Sequence, residues 1–117
     1  MYLWGYNNQY PIAEIRNATY DEVTSKIPKS TIEAIAARLE PTSTDWSQIN
    51  ELRTSLLQAH VTIFAYKPSI GVSCICGPDE RSIYFNYDDF GQLKEMYRME
   101  NGLKKIIENY EYHYPEN

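Results

Sequence analysis

The stretch "DFGQLKEMYRMENGLKKIIENY", residues 89–110, decides the fold. Read for helical period, Phe90, Leu93, Met96 and Tyr97 make one apolar stripe, and Leu103, Ile106, Ile107 and Tyr110 make a second. Asp88 or Asp89 supplies an N-cap, with Gln92 three residues beyond Asp89 to close a capping box. The spacing predicts a C-terminal helix. Asn101-Gly102 interrupts it, because a glycine inside a helix costs about 1 kcal/mol and marks a kink or a break. Tyr110 continues the stripe and belongs to the core or its margin. Tyr112 and Tyr114 fall out of phase, so "YEYHY" reads as extended, with tyrosines on one side and Glu111 and His113 on the other.

Upstream of this segment the period is that of strands. "VTIFAYK" (61–67), "SIGVSCIC" (69–76) and "SIYFNY" (82–87) are rich in β-branched and aromatic residues. Lys67-Pro68-Ser69 and Gly77-Pro78-Asp79-Glu80 separate them with turn chemistry, giving a three-stranded antiparallel meander. Ile70, Val72, Cys74 and Cys76 alternate on one of its faces, and Gly71 and Gly77 allow a bulge or a close backbone approach. Before it lie three helices. Thr19 with Glu22 caps the first, which Pro28 stops, and Ser30 with Glu33 caps the second. The third runs over 45–59 on the stripe Trp46, Ile49, Leu52, Leu56 and Leu57, interrupted by Arg53, with the end of "PTSTD" as its cap. Tyr2–Tyr6 reads as a strand, Asn7-Asn8 as a turn, and Ile12 with Ile15 as a second extended piece. Segregated strands and helices define an α+β domain spanning 1–117. Its helices are packed on one face of an antiparallel sheet made of the meander plus an N-terminal strand.

Composition narrows the function classes. The 117 residues carry 16 acids against 11 bases, a formal charge of −5, which removes the electrostatic term that supplies most nucleic-acid affinity. No window approaches the roughly 20 apolar residues of a membrane-spanning helix, and the start has no charged segment followed by an apolar run. With two cysteines one residue apart, a poor geometry for a disulfide, the chain reads as cytoplasmic and reduced.

No reactive set converges in the sequence. Cys74 and Cys76 lack a nucleophile elbow, and His60 sits where a helix C-terminus accounts for it. Cys-x-Cys with His60 and His113 lacks zinc spacing, so no metal or cofactor is expected. Asp79-Glu80 and Asp88-Asp89 have simpler roles in a turn and a cap. A second reading is a small-molecule site or minor enzyme on the sheet face near Cys74, Cys76 and His60.

Eleven tyrosines against three phenylalanines and two tryptophans favour half-buried positions and interfaces. Tyrosines interleaved with acids near the C-terminus suit a basic protein partner, steered by charge and anchored by aromatic rings. The expectation is a non-catalytic inhibitor. Its partner-binding residues are Tyr110, Glu111, Tyr112, Tyr114 and Glu116, with Asp79 and Glu80 as a second patch. In size and charge the chain is similar to small immunity proteins that neutralise nuclease toxins, a likeness carried by no motif and no site residue. A third reading makes the tyrosines the self-interface of a larger, phage-type assembly.

Overall fold

The structure is a computed structural model that describes residues 1–111. Its backbone is one antiparallel sheet of seven strands in chain order, with three helices inserted between the second and third. The strands are β1 (Tyr2–Gly5), β2 (Tyr10–Arg16), β3 (His60–Lys67), β4 (Gly71–Cys76), β5 (Ser82–Tyr87), β6 (Leu93–Glu100) and β7 (Leu103–Asn109). The helices are α1 (Tyr20–Lys26), α2 (Lys29–Ala37) and α3 (Ser43–Ser55).

The α+β class holds, but the sheet is larger than a three-stranded meander with one added strand. The C-terminal helix is the error. Residues 93–109 form a β-hairpin whose turn is Asn101-Gly102, at φ 51° and 76°. Two successive left-handed residues are what a two-residue type I′ turn requires, and Asn-Gly is its strongest sequence signal. Asp88 therefore holds a β-turn and not a helix: its Oδ1 accepts from Phe90 N at 2.9 Å and Gln92 N at 3.0 Å.

The inserted helices follow their local signals. Thr19 and Glu22 form a complete capping box on α1, and Thr42 with Asp45 forms one on α3. Helix α2 begins two residues earlier than the Ser30 signal, with Pro28 at the N-cap and no side-chain cap. Proline suits a helix start, where a missing N–H has no partner to lose. Arg38, at the end of α2, donates to the Asp45 carboxylate at 2.9 Å and so ties α2 to the start of α3.

The buried cluster consists of Leu3, Tyr6, Ile12, Ala13, Ile15, Val23, Ile27, Ile35, Ile49, Leu52, Leu56 and Val61. These residues come from β1, β2, the turn between them, Val61 of β3, and the helices with the C-caps Ile27 and Leu56. Beyond Val61 no described residue is buried. The rest of β3 and all of β4–β7 extend past the core, and the molecule measures 57 × 32 × 21 Å. Its radius of gyration of 16.4 Å exceeds the roughly 13 Å of a compact chain of this length.

Candidate functional site

Register assigns the side chains of this extension to two faces. Ile63 lies opposite Cys76, which lies opposite Ser82. Ala65, Cys74, Tyr84, Tyr97 and Ile106 form an unbroken row across five strands on the same face. Helix α3 meets residues of this front face on β3 and β4. Arg53 donates to the Gly77 carbonyl at 2.7 Å and to the Cys76 carbonyl at 3.3 Å.

Beside the first half of α3, an open groove of about 430 Å³ is lined by Trp46, Ser47, Asn50, Ile63, Ala65, Cys74 and Cys76. Beyond it the Tyr84 and Tyr97 rings stack at 5.2 Å between centroids. Lys104 holds its ammonium 4.5 Å from the Tyr97 centroid while pairing with Glu95, which also accepts from Asn86 at 2.8 Å. These contacts fix the ring planes. They also hold the Glu95 carboxyl below its ordinary range, the Lys104 hydrogen bond being the largest cause. Ile106, half exposed, completes the row at the sheet's edge. The result is a rigid aromatic ladder with apolar ends, a surface that supplies contact area at little entropic cost.

The sequence-predicted residues are divided by this geometry. Asp79 and Glu80 occupy the β4–β5 turn, where Asp79 accepts from Arg81 N at 3.1 Å and pairs with its guanidinium. Tyr110 lies at the opposite end of the sheet, just past β7, with its N–H on the Lys94 carbonyl at 2.8 Å and its hydroxyl donating to Glu108. Glu111 follows it, exposed. The two patches are therefore not one surface but the two ends of the extended sheet. Tyr112, Tyr114 and Glu116 lie outside the described residues, as does His113.

Cys74 and Cys76 share the front face, whereas His60, opposite Arg16 on β2, lies on the back. The sheet thus separates the histidine from both thiols. Burial pushes the Cys74 thiol above its ordinary range, with Ser82 pulling the other way. Among the described residues no group of three or more His, Cys, Asp or Glu side chains is placed to hold a metal ion, and no helix is long and apolar enough to cross a membrane. Tyr84, Tyr97 and Trp46 were missed as a site. Only the strand assignment of β6, which places Tyr97 opposite Tyr84, could have found them.

Comparison with known proteins finds no match, whether by family model, by curated protein or by solved structure.

Proposed function

We propose that this chain is a non-catalytic protein-binding module that occupies and blocks a basic protein, the immunity-type role expected from its size and charge. One observation carries the reading: the front face beyond α3 presents Cys74, Tyr84, Tyr97 and Ile106 in a row, with no buried residue past Val61 among the described residues. An apolar, aromatic centre with a charged rim is the anatomy of a binding face. In this reading α1, α2 and α3 form one layer on the front face, and the layer's margin is the groove beside Trp46.

Charge supplies the class of partner. Asp79 and Glu80 stand at one end of the ladder; Asp88, Asp89 and Glu111 stand at the other, so a partner lying along the strands meets carboxylates at both ends. Basic groups at those points would be steered in and held, and salt would weaken them.

The test is capture of partners by the tagged chain at low and high salt, in parallel with Tyr97→Lys and Ile106→Lys. The expected result is one basic protein, retained by wild type at low salt, weakened by high salt and lost with either variant. Capture unchanged by both variants would remove the front face from the binding site.

A further inference from the structure

The back face of the sheet changes character half-way along. Over β1, β2 and the start of β3 it is mixed: Tyr2 lies opposite Glu14, Glu14 opposite Thr62 and Arg16 opposite His60, with Trp4, opposite Pro11, as the exposed apolar side chain of β1. The Tyr2 hydroxyl donates to Glu14 at 2.8 Å, and Arg16 pairs with Glu14 at 3.1 Å. This half of the sheet has a core on its front and water on its back, the normal state of a one-sided antiparallel sheet.

From Phe64 onward the back turns apolar. Phe64, Ile75 and Ile83 lie directly across from one another on β3, β4 and β5. Phe85, two residues beyond Ile83, lies opposite Met96 on β6. All five remain only partly buried. The helices that serve the front of the sheet cannot also cover this side, and contiguous apolar patches of this kind are uncommon on monomers.

We infer that this back face is the interface of a two-fold homodimer, in which the strip Phe64–Ile75–Ile83–Phe85–Met96 of one copy packs on the same strip of another.

Charge selects a second copy over a basic partner. The charged side chains that pairing of β6 with β7 places in the back-face register are Arg98, Glu100, Lys105 and Glu108, two of each sign; Lys94, an extra residue of β6, falls outside that pairing. Three are already joined, Glu100 pairing with Arg98 at 2.7 Å and with Lys105 at 2.9 Å. A chain of net charge −5 thus presents a locally neutral face, on which its copy meets no excess of like charge and a cationic partner finds no excess of acid.

The dimensions agree with a small, reversible interface. The four strands that carry the strip, about 4.8 Å apart and about 20 Å long, project roughly 380 Å² per copy, before the relief of the side chains is counted, against about 800 Å² per partner in a standard interface. Two sheets stacked about 10 Å apart would complete the second layer that β4–β7 lack. Both front faces would point outward, so this inference stands independently of the proposed partner site.

Sedimentation of the full chain from about 1 to about 500 µM tests it across the affinity range of small interfaces. Wild type is expected to pass from monomer to dimer, Ile83→Lys to stay monomeric throughout, and Tyr97→Lys, on the other face, to dimerise like wild type. Ile75→Thr, which keeps strand propensity, gives a second variant in case lysine unfolds the sheet; at least a tenfold weaker association is expected. Wild type monomeric over the whole range would overturn the inference. So would a dimer that Ile83→Lys and Ile75→Thr leave intact, or one that Tyr97→Lys alone disrupts.

Discussion

Asp45 shows how one residue serves two elements. Its side chain is 2% exposed. Burial alone would raise its pKa; hydrogen bonds from Thr42 and Arg38 and the guanidinium's charge outweigh burial, so the carboxyl titrates below its ordinary range. A folded-state pKa below the unfolded value of about 3.9 gives stability that is complete above that value and is lost as pH falls through the folded pKa. Asp45→Asn should lower stability at neutral pH by about 1–3 kcal/mol, through the cap and the buried pair. Urea unfolding at neutral pH and near pH 3 checks both points: the variant should lose less on acidification than wild type. Gly71 makes a second case. A Cβ there would stand 2.6 Å from the Tyr87 hydroxyl, which donates to the Val72 carbonyl at 2.7 Å. Gly71→Ala should cost about 1–2 kcal/mol by displacing that hydroxyl. Combining it with Tyr87→Phe should cost less than the sum of the two single changes, as a double-mutant cycle would show.

At the scale of elements, the hairpin β6–β7 explains which part of the fold was legible. Helix α3 was legible as a helix, but it runs over Ser43–Ser55 instead of 45–59, capped by Thr42. The capping box of α1 and the strands β1 to β5 announced themselves, because each depends on neighbours within a few residues. The last two strands did not, because bulges disguise their period. Lys94 is an extra residue in β6, so Leu93 and Met96, three apart, both pair with the back-face row of β5. Ile107 is an extra residue in β7, where Met96 pairs with Glu108 but Tyr97 with Ile106. Each insertion turns a spacing of two into three and mimics a helical stripe. The aromatic ladder was hidden for the same reason, since it exists only once β6 lies beside β5. Gly102→Ala separates the two readings by sign. In a helix it would stabilise by about 1 kcal/mol; at φ 76° in a hairpin turn it should destabilise by about 1 kcal/mol. Amide exchange should then rise in residues 93–109 and not in α3. The same hairpin should loosen in acid. The Lys104 and Lys105 hydrogen bonds are the largest causes holding Glu95 and Glu100, respectively, below the ordinary carboxylate range. Their support is present above the unfolded pKa and fades as pH falls through the folded values, and the amides of β7 should lose protection before those of β2.

Across the whole molecule, the order of the strands sets how the chain finds its fold. Six pairings join the seven strands, and five of them close over short turns. Only β2–β3 must close around the helical insert of residues 17–59. Loop closure over a few residues takes far less time than closure over several tens, and contacts close in sequence dominate fast folding. The strands from β3 onward can therefore zip together while the N-terminal half is still a coil. The slow event is the arrival of β1 and β2 with their helices, because that arrival buries Val61 against Ile15 and Ile49. Pulse-labelled exchange during refolding should find the amides of β4–β6 protected ahead of those of β2. Equilibrium exchange should rank them in reverse, since among the described residues the late-forming half holds every buried apolar residue except Val61. The half of the sheet that assembles first is thus the half that opens first, and its native lifetime is set by whatever comes to lie against it.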